Sequence, residues 1–407
     1  MSDIMSELEQ QSSVEDVESK KFYFTEVTEI FSDTDLDRIL RHCHEKGSFS
    51  DIYFSDGDDI LLKSHGRVYS VLGGRCLRMD ELSRFFERIT DDPSGTTTVL
   101  QGIPFDGAYT HNSKEGDNRS RLNRYRVNAI SVLNPKGMKG MQVTMRTINF
   151  VPPLLESMQL ERGILNNYKP RQGMVIIAGE TGSGKTTFLA SVIRNRMEEK
   201  GGDCIINAYE APIEYLHSEA AYKSAPSNRV YQTEVNPLGW IISFATGIRA
   251  SLRRNPNGFL IGECRDLETI EASIRAASSG HFVYTTTHAN SVSDTIMRMI
   301  NEFPSSERQA RYYELISNSR LLIAQYLAPS TDGRRVPVRE YLSFTTEIRD
   351  QLKRVDLKDA ERVIREIIDG QGEYDSPLAQ SMTHSAEHHL AVGNISRDVF
   401  EHIISGV

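Results

Sequence analysis

An α/β architecture is predicted, with an α+β N-terminal half followed by a mostly parallel sheet covered by helices. Three observations predict it. After residue 173, short apolar runs of strand type alternate with helical stretches, the pattern of strands joined by crossover helices. Before residue 148, strands of alternating polarity are joined by turn residues and set beside two helical patterns. At 407 residues the chain has the length for two or three domains, each able to bury a core.

The elements follow in order. Residues 1–21, MSDIMSELEQQSSVEDVESKK, carry neither a basic nor an apolar leader region and read as an acidic, poorly ordered tail. Residues 22–148 form the first domain. A helix fits DTDLDRILRHCHEKG, with Asp33 or Asp35 as cap and Gly47 as stop. SDIYFSDGDDILLKSHGRVYSVL alternates around DGDD and HGR turns as a hairpin would, and MDELSRFFERI fits a second helix. RYRVNAISVL and GMQVTMRTI read as strands joined at NPKG. Residues 149–172, opened by Pro152-Pro153, read as a linker with a short helix.

From 173 to 407 the alternation begins. MVIIA, CIINAYE, VYQTEV, GFLIG and FVYTTTH read as strands. TTFLASVIRNRMEEK, LGWIISFATGIRASLRR and DLETIEASIRAASS read as helices, with Trp240 on an apolar, core-facing side. From Ser293 onward the chain reads as mainly helical, with a hairpin near APSTDGRRVPVREYLSF.

Composition excludes several classes. No apolar run approaches the roughly 18 residues a spanning helix needs, so membrane association is expected by docking. Net charge is −9 and pI ≈ 5.7, which argues against sequence-independent binding of nucleic acid. RSRLNRYR stands out in this acidic chain, with Arg119, Arg121, Arg124 and Arg126. Cys43, Cys76, Cys204 and Cys264 are scattered and read as reduced thiols. His384, His388 and His389 have helical spacing but no further ligand nearby, and read as an exposed polar face rather than a zinc site.

GETGSGKTT matches G-x-x-x-x-G-K-[ST] between a strand and a helix, the context that gives this motif its meaning. Gly179, Glu180, Thr181, Gly182, Ser183, Gly184, Lys185, Thr186 and Thr187 therefore form a phosphate-binding loop. Its amides point at phosphate oxygens beside a helix N-terminus. Lys185 supplies a charge to the β- and γ-phosphates, and the Thr186 hydroxyl a ligand for Mg²⁺. Such a loop needs acids at neighbouring strand ends. Glu263 ends GFLIGE, and YEAPIEYLH offers Glu210 and Glu214 on either side of Pro212, which should stop the strand. The residues alone do not rank these two acids. His288 ends a further strand in TTTHANS.

GETGSGKTT, YEAPIEYLH, LIGECRD and TTTHANS resemble, in order and spacing, the phosphate loop, Asp box, Walker B motif and His box of type II/IV secretion ATPases, within their PilT-like group. The resemblance runs from about Asp35 to the end. It implies a PAS-like N-terminal domain, then a RecA-like P-loop ATPase domain with a helical C-terminal part. It further implies a cytoplasmic homo-hexamer that hydrolyses ATP with Mg²⁺ to power secretion, conjugative transfer or type IV pilus dynamics, peripherally docked on inner-membrane secretion or conjugation proteins. By position, Glu214 resembles the general base, Glu263 the Walker B acid acting through Mg²⁺, and His288 the His-box residue. Arg126 in YRVNAI and Arg146 in MRTI resemble N-terminal-domain arginines that reach the nucleotide phosphates.

LQGIPFDGAYTH and NEFPSSERQARYYELI resemble the Dot/Icm-type branch of type IVB secretion and I-type conjugation. Departures from the superfamily pattern are Ala211, where many relatives have Asp, and Asn255-Pro256-Asn257, where relatives have D-P-D. TTEIRDQLKRV matches the retraction motif only in part, and the C-x-x-C pairs of pilus-assembly relatives are absent. A nucleic-acid translocase, or an assembly platform that binds nucleotide without hydrolysing it, are the competing readings.

Overall fold

The computed structural model describes residues 20–148 apart from 27, 65 and 113–121, and residues 151–406 apart from 218–226, 236–239 and 371–372. Most of the acidic tail, and Arg119 and Arg121, lie outside the described residues. The chain divides into two compact units, Met1–Phe150 and Val151–Val407.

The N-terminal unit is built on an antiparallel sheet. Its strands are β1 (Asp51–Ser55), β2 (Leu61–Ser64), β3 (Arg67–Ser70), β4 (Phe105–Asn112), β5 (Leu122–Leu133) and β6 (Lys139–Thr147), in the order β3-β2-β1-β6-β5-β4. Helices Asp35–Lys46 and Met79–Thr90 supply Leu36, Ile39, Leu40, Leu82, Phe85 and Phe86 to a core shared with Ile52, Phe54, Val127 and Val143 of the sheet. The residue at the N-cap of the first helix is Thr34, while Asp35 lies inside the helix and accepts the Ser32 N–H. The expected hairpin over 50–72 is three strands, and β4 is an addition.

Glu81 fastens this unit. Its buried carboxylate accepts the Phe31 N–H at 2.8 Å, the Arg78 N–H at 2.9 Å and Arg75 Nη2 at 2.6 Å. The Arg75 guanidinium lies 4.2 Å from the Phe31 ring centre, so one acid joins a loop, a helix start and a cation–π contact.

The C-terminal unit holds the second sheet. Its strands are β7 (Gly173–Ala178), β8 (Ile205–Glu210), β9 (Arg229–Glu234), β10 (Gly258–Ile261), β11 (Phe282–Thr287), β12 (Ser319–Pro329), β13 (Arg335–Ser343) and β14 (Ala379–Gln380), in the order β14-β13-β12-β7-β11-β10-β8-β9. From β12 to β9 every pairing is parallel; β13 and β14 are antiparallel additions. β7 is buried throughout. Val175 and Ile177 pack with Phe188, Leu189 and Val192 of helix Lys185–Glu198, whereas Met174 and Ile176 face a cluster with Ile270, Ile274 and Ile296. Both faces are covered, which is why these strands read as unbroken apolar runs. Leu155 and Ile164, from the stretch expected as a linker, pack into the first of these clusters.

Three expectations are corrected. Helix 238–254 is reduced to Phe244–Ser251, because the Ser243 side chain caps it by accepting the Thr246 N–H; Trp240 precedes it and is 68% exposed, not core. The region after Ser293 holds the expected helices at Val292–Asn301 and Arg308–Asn318, but SRLLIAQYLAP within it is the buried strand β12 beside β7. His384–His389 is not an exposed face, because His389 is buried and His388 stacks on Tyr374 at 3.6 Å between centroids.

Burial pushes the Glu81 carboxyl up, but the Arg75 guanidinium and the Arg78 and Phe31 amides outweigh it and leave its pKa below the ordinary 4.5. The unfolded chain then binds the extra proton, so Glu81 stabilises the fold above about pH 4.5 and that contribution is lost as pH falls through its lowered pKa. Glu81→Ala should cost on the order of 3 kcal/mol at neutral pH in urea unfolding, less as the medium is acidified. An unchanged urea midpoint at pH 7 would contradict this role.

Candidate active site

Parallel pairing brings the carboxyl ends of β7, β8, β10 and β11 to one edge of the sheet. The phosphate-loop sequence leaves β7 there. Gly182 and Gly184 have φ of 84° and 85°, in the left-handed region that favours glycine. Helix Lys185–Glu198 begins at once, and its first amides have no acceptor within the helix. Ser183 Oγ is buried and meets no hydrogen-bond partner among the described residues. A loop with inward amides, a buried unpaired hydroxyl and a lysine fits a polyphosphate.

Lys185 is 8% exposed, and its Nζ donates to Gly179 O and Glu180 O at 2.7 Å each. Burial pushes its pKa down from the ordinary 10.5, while the charges of Glu263, Glu214 and Glu180 push it back up. Two candidate acids from separate strands thus lie within electrostatic reach of one ammonium. Thr186, half-buried on the first turn, and Glu263 are the side chains that would hold Mg²⁺.

Glu263 is set by a zipper between its loop and β11. Cys264 N–H donates to Thr286 O at 2.9 Å, Thr286 Oγ1 to Gly262 O at 2.6 Å, and Thr287 Oγ1 to Cys264 O at 3.2 Å. This leaves His288 Nε2 3.5 Å from Glu263 Oε1, so the TTTH sequence positions both residues. Asp266 caps the next helix by accepting the Thr269 N–H.

The two acids of YEAPIEYLH are separated by burial. β8 ends at Glu210, before the cis Ala211–Pro212 bond. Glu210 is buried and accepts Gln232 Nε2 at 2.8 Å; Glu214 is exposed beyond the proline. Gln232 also donates to Tyr215 O at 2.7 Å and accepts the His217 N–H at 3.1 Å. Tyr215 Oη lies 3.0 Å from Thr187 Oγ1, which ties the loop carrying Glu214 to the phosphate-loop helix. Gln232 and Tyr215 escaped the sequence reading; a glutamine in VYQTEV is the signal that was available.

Arg126 and Arg146 belong to the N-terminal unit. They face each other on β5 and β6, both exposed, and Arg146 Nε donates to Asp51 Oδ1 at 2.7 Å. Asn255 and Asn257 lie ahead of β10, at the sheet edge opposite the phosphate loop. Asn255 takes a left-handed φ of 50°, and Asn257 exchanges bonds with Ile205 through its backbone N–H at 2.8 Å and its side-chain oxygen at 2.7 Å.

The family described as Type II/IV secretion system protein matches residues 135–362, more than half of the chain. The chain resembles the crystal structure of the ATPase DotB of Legionella pneumophila at 36% identity and TM-score 0.82, covering 93% of this chain and 97% of that one. For DotB of Yersinia pseudotuberculosis the values are 30%, 0.72, 94% and 95%. The type IV pilus ATPase PilU of Pseudomonas aeruginosa is 28% identical over 351 residues, 86% of this chain and 85% of that protein. The two solved DotB structures share the expected order of an N-terminal domain followed by a RecA-like ATPase domain.

Gln232→Leu removes all three contacts to the 210–217 loop while keeping an apolar body of similar size. The His217 amide should then exchange with solvent about fivefold faster or more, since one net hydrogen bond is worth about 1 kcal/mol. Amides of β7 should be unaffected. Unchanged exchange at His217 would show that Gln232 does not hold the loop.

Proposed function

The chain belongs to the type II/IV secretion system protein family and is an ATPase, and from that premise we propose that it is a hexameric ring motor. Its ATP hydrolysis powers a type IVB secretion or conjugative transfer apparatus at the cytoplasmic face of the inner membrane. The observation that carries the reading is the meeting of Lys185, Glu214 and Glu263 at one sheet edge, with both acids acting on the charge of Lys185. The choice of apparatus is supported by the near full-length likeness to two DotB ATPases and by the Dot/Icm-type sequences at 100–111 and 301–316. No described helix is long and apolar enough to cross a membrane.

In this reading the loop amides and Lys185 hold the β- and γ-phosphates and offset the charge that grows on them as the terminal P–O bond breaks. Glu214, exposed and unburdened by the contacts that occupy Glu210, accepts a proton from the attacking water. Mg²⁺, held by the Thr186 hydroxyl and through Glu263, supplies Lewis-acid charge when bound. His288 keeps the Glu263 carboxylate in place.

Lys185→Ala and Glu263→Gln should each lower ATP turnover by about 10²-fold or more, with the thermal midpoint near that of the parent chain. Turnover should be indifferent to single- or double-stranded DNA. Stimulation by DNA would favour a translocase, and full turnover in Lys185→Ala would contradict the motor reading.

A further inference from the structure

The phosphate loop is braced from behind by a buried chain of three side chains that the proposed mechanism does not use. Gln325 on β12 donates from Nε2 to Ser183 O at 2.6 Å. Its Oε1 accepts Arg339 Nε at 2.8 Å. Arg339, on β13 and 2% exposed, donates from Nη1 to Glu161 Oε2 at 3.1 Å and from Nη2 to Met158 O at 2.9 Å. Glu161 is 3% exposed and Gln325 5%.

The arrangement dictates an orientation. The Ser183–Gly184 peptide is trans, so its C=O and the following N–H point in opposite directions. Holding Ser183 O outward on Gln325 turns the Gly184 N–H into the loop. Gln325 can serve only one way round: a flipped amide would set Oε1 against Ser183 O and Nε2 against the Arg339 donor. Arg339 therefore selects the useful rotamer, and Glu161 with the Met158 carbonyl holds Arg339. Close approach requires glycine on the loop. A Cβ at Gly179 would lie 2.4 Å from Gln325 O, and one at Gly184 3.1 Å from Gln325 Nε2.

Stability alone is a weak reason for such a chain, since a buried ion pair often does no better than apolar packing of the same volume. Direction is what it adds. We propose that Gln325, oriented by Arg339 and Glu161, is a positioning residue that aims the Gly184 amide at a phosphate of the bound nucleotide. The proposal rests on the nucleotide reading of the loop.

Equilibrium binding of a fluorescent ADP analogue, ATP turnover and thermal midpoint are measured on the full chain and on two variants. Gln325→Glu keeps a charge-assisted partner for Arg339 but places an acceptor against Ser183 O. Gln325→Leu removes both contacts without adding charge, and carries the test if the glutamate variant fails to fold. Both should bind ADP about fivefold more weakly or worse, the factor that one hydrogen bond supplies, with KM raised more than kcat is lowered. In Gln325→Glu the thermal midpoint should stay near that of the parent. Affinity within about twofold of the parent in a folded variant would overturn the proposal. Affinity lost only in step with the thermal midpoint would assign a structural role and overturn it too. A parent chain that binds no ADP would instead remove the nucleotide reading itself, and the proposal with it.

Discussion

A lysine buried at the mouth of a loop is the constraint to which the rest of the site answers. An ammonium taken out of water is costly unless partners replace its hydration. Lys185 has two loop carbonyls at 2.7 Å, and three glutamates whose charges oppose the effect of burial. Two of these acids, Glu214 and Glu263, come from β-strand ends brought together only by the parallel register of β8, β10, β11 and β7. The sheet thus makes the charge tolerable and the chemistry available through the same placement.

Around that centre each acid is held by neighbours that do no chemistry themselves. Thr286 and Thr287 zip the Glu263 loop to β11, and Gln232 gathers three contacts from the loop that carries Glu214. The departures from the family pattern fall outside this set. Ala211 is exposed past the end of β8, and the two asparagines satisfy a left-handed turn and the start of β8 at the far edge of the sheet. A left-handed φ is one that asparagine accepts more readily than most residues, so the two asparagines have local structural explanations, and nothing in the structure explains Ala211.

Much of this was legible in the sequence, because local chemistry declares itself locally. A glycine-rich loop between MVIIA and a helix, a proline closing β8, and acids at strand ends are short-range signals. Two kinds of feature were not legible. SRLLIAQYLAP is buried on both faces, so it lacks the two-residue period that marks a strand and passed for helix. LGWIISF has an apolar pattern that continues into the helix after it, and that continuity hides the cap at Ser243. The chain from Glu161 through Arg339 to Gln325 joins residues far apart in sequence, and no local pattern announces such a contact. Burial, likewise, separates Glu214 from Glu210, which residue type alone could not.

The central claim is that Glu214 does chemistry while Glu210 does architecture. Single-turnover hydrolysis and equilibrium ATP binding, measured together on Glu214→Gln and Glu210→Gln, test it most directly. The account predicts that Glu214→Gln binds ATP normally yet hydrolyses it about 10²-fold more slowly or worse, while Glu210→Gln retains most of the rate. Loss of hydrolysis in Glu210→Gln with full activity in Glu214→Gln would contradict it.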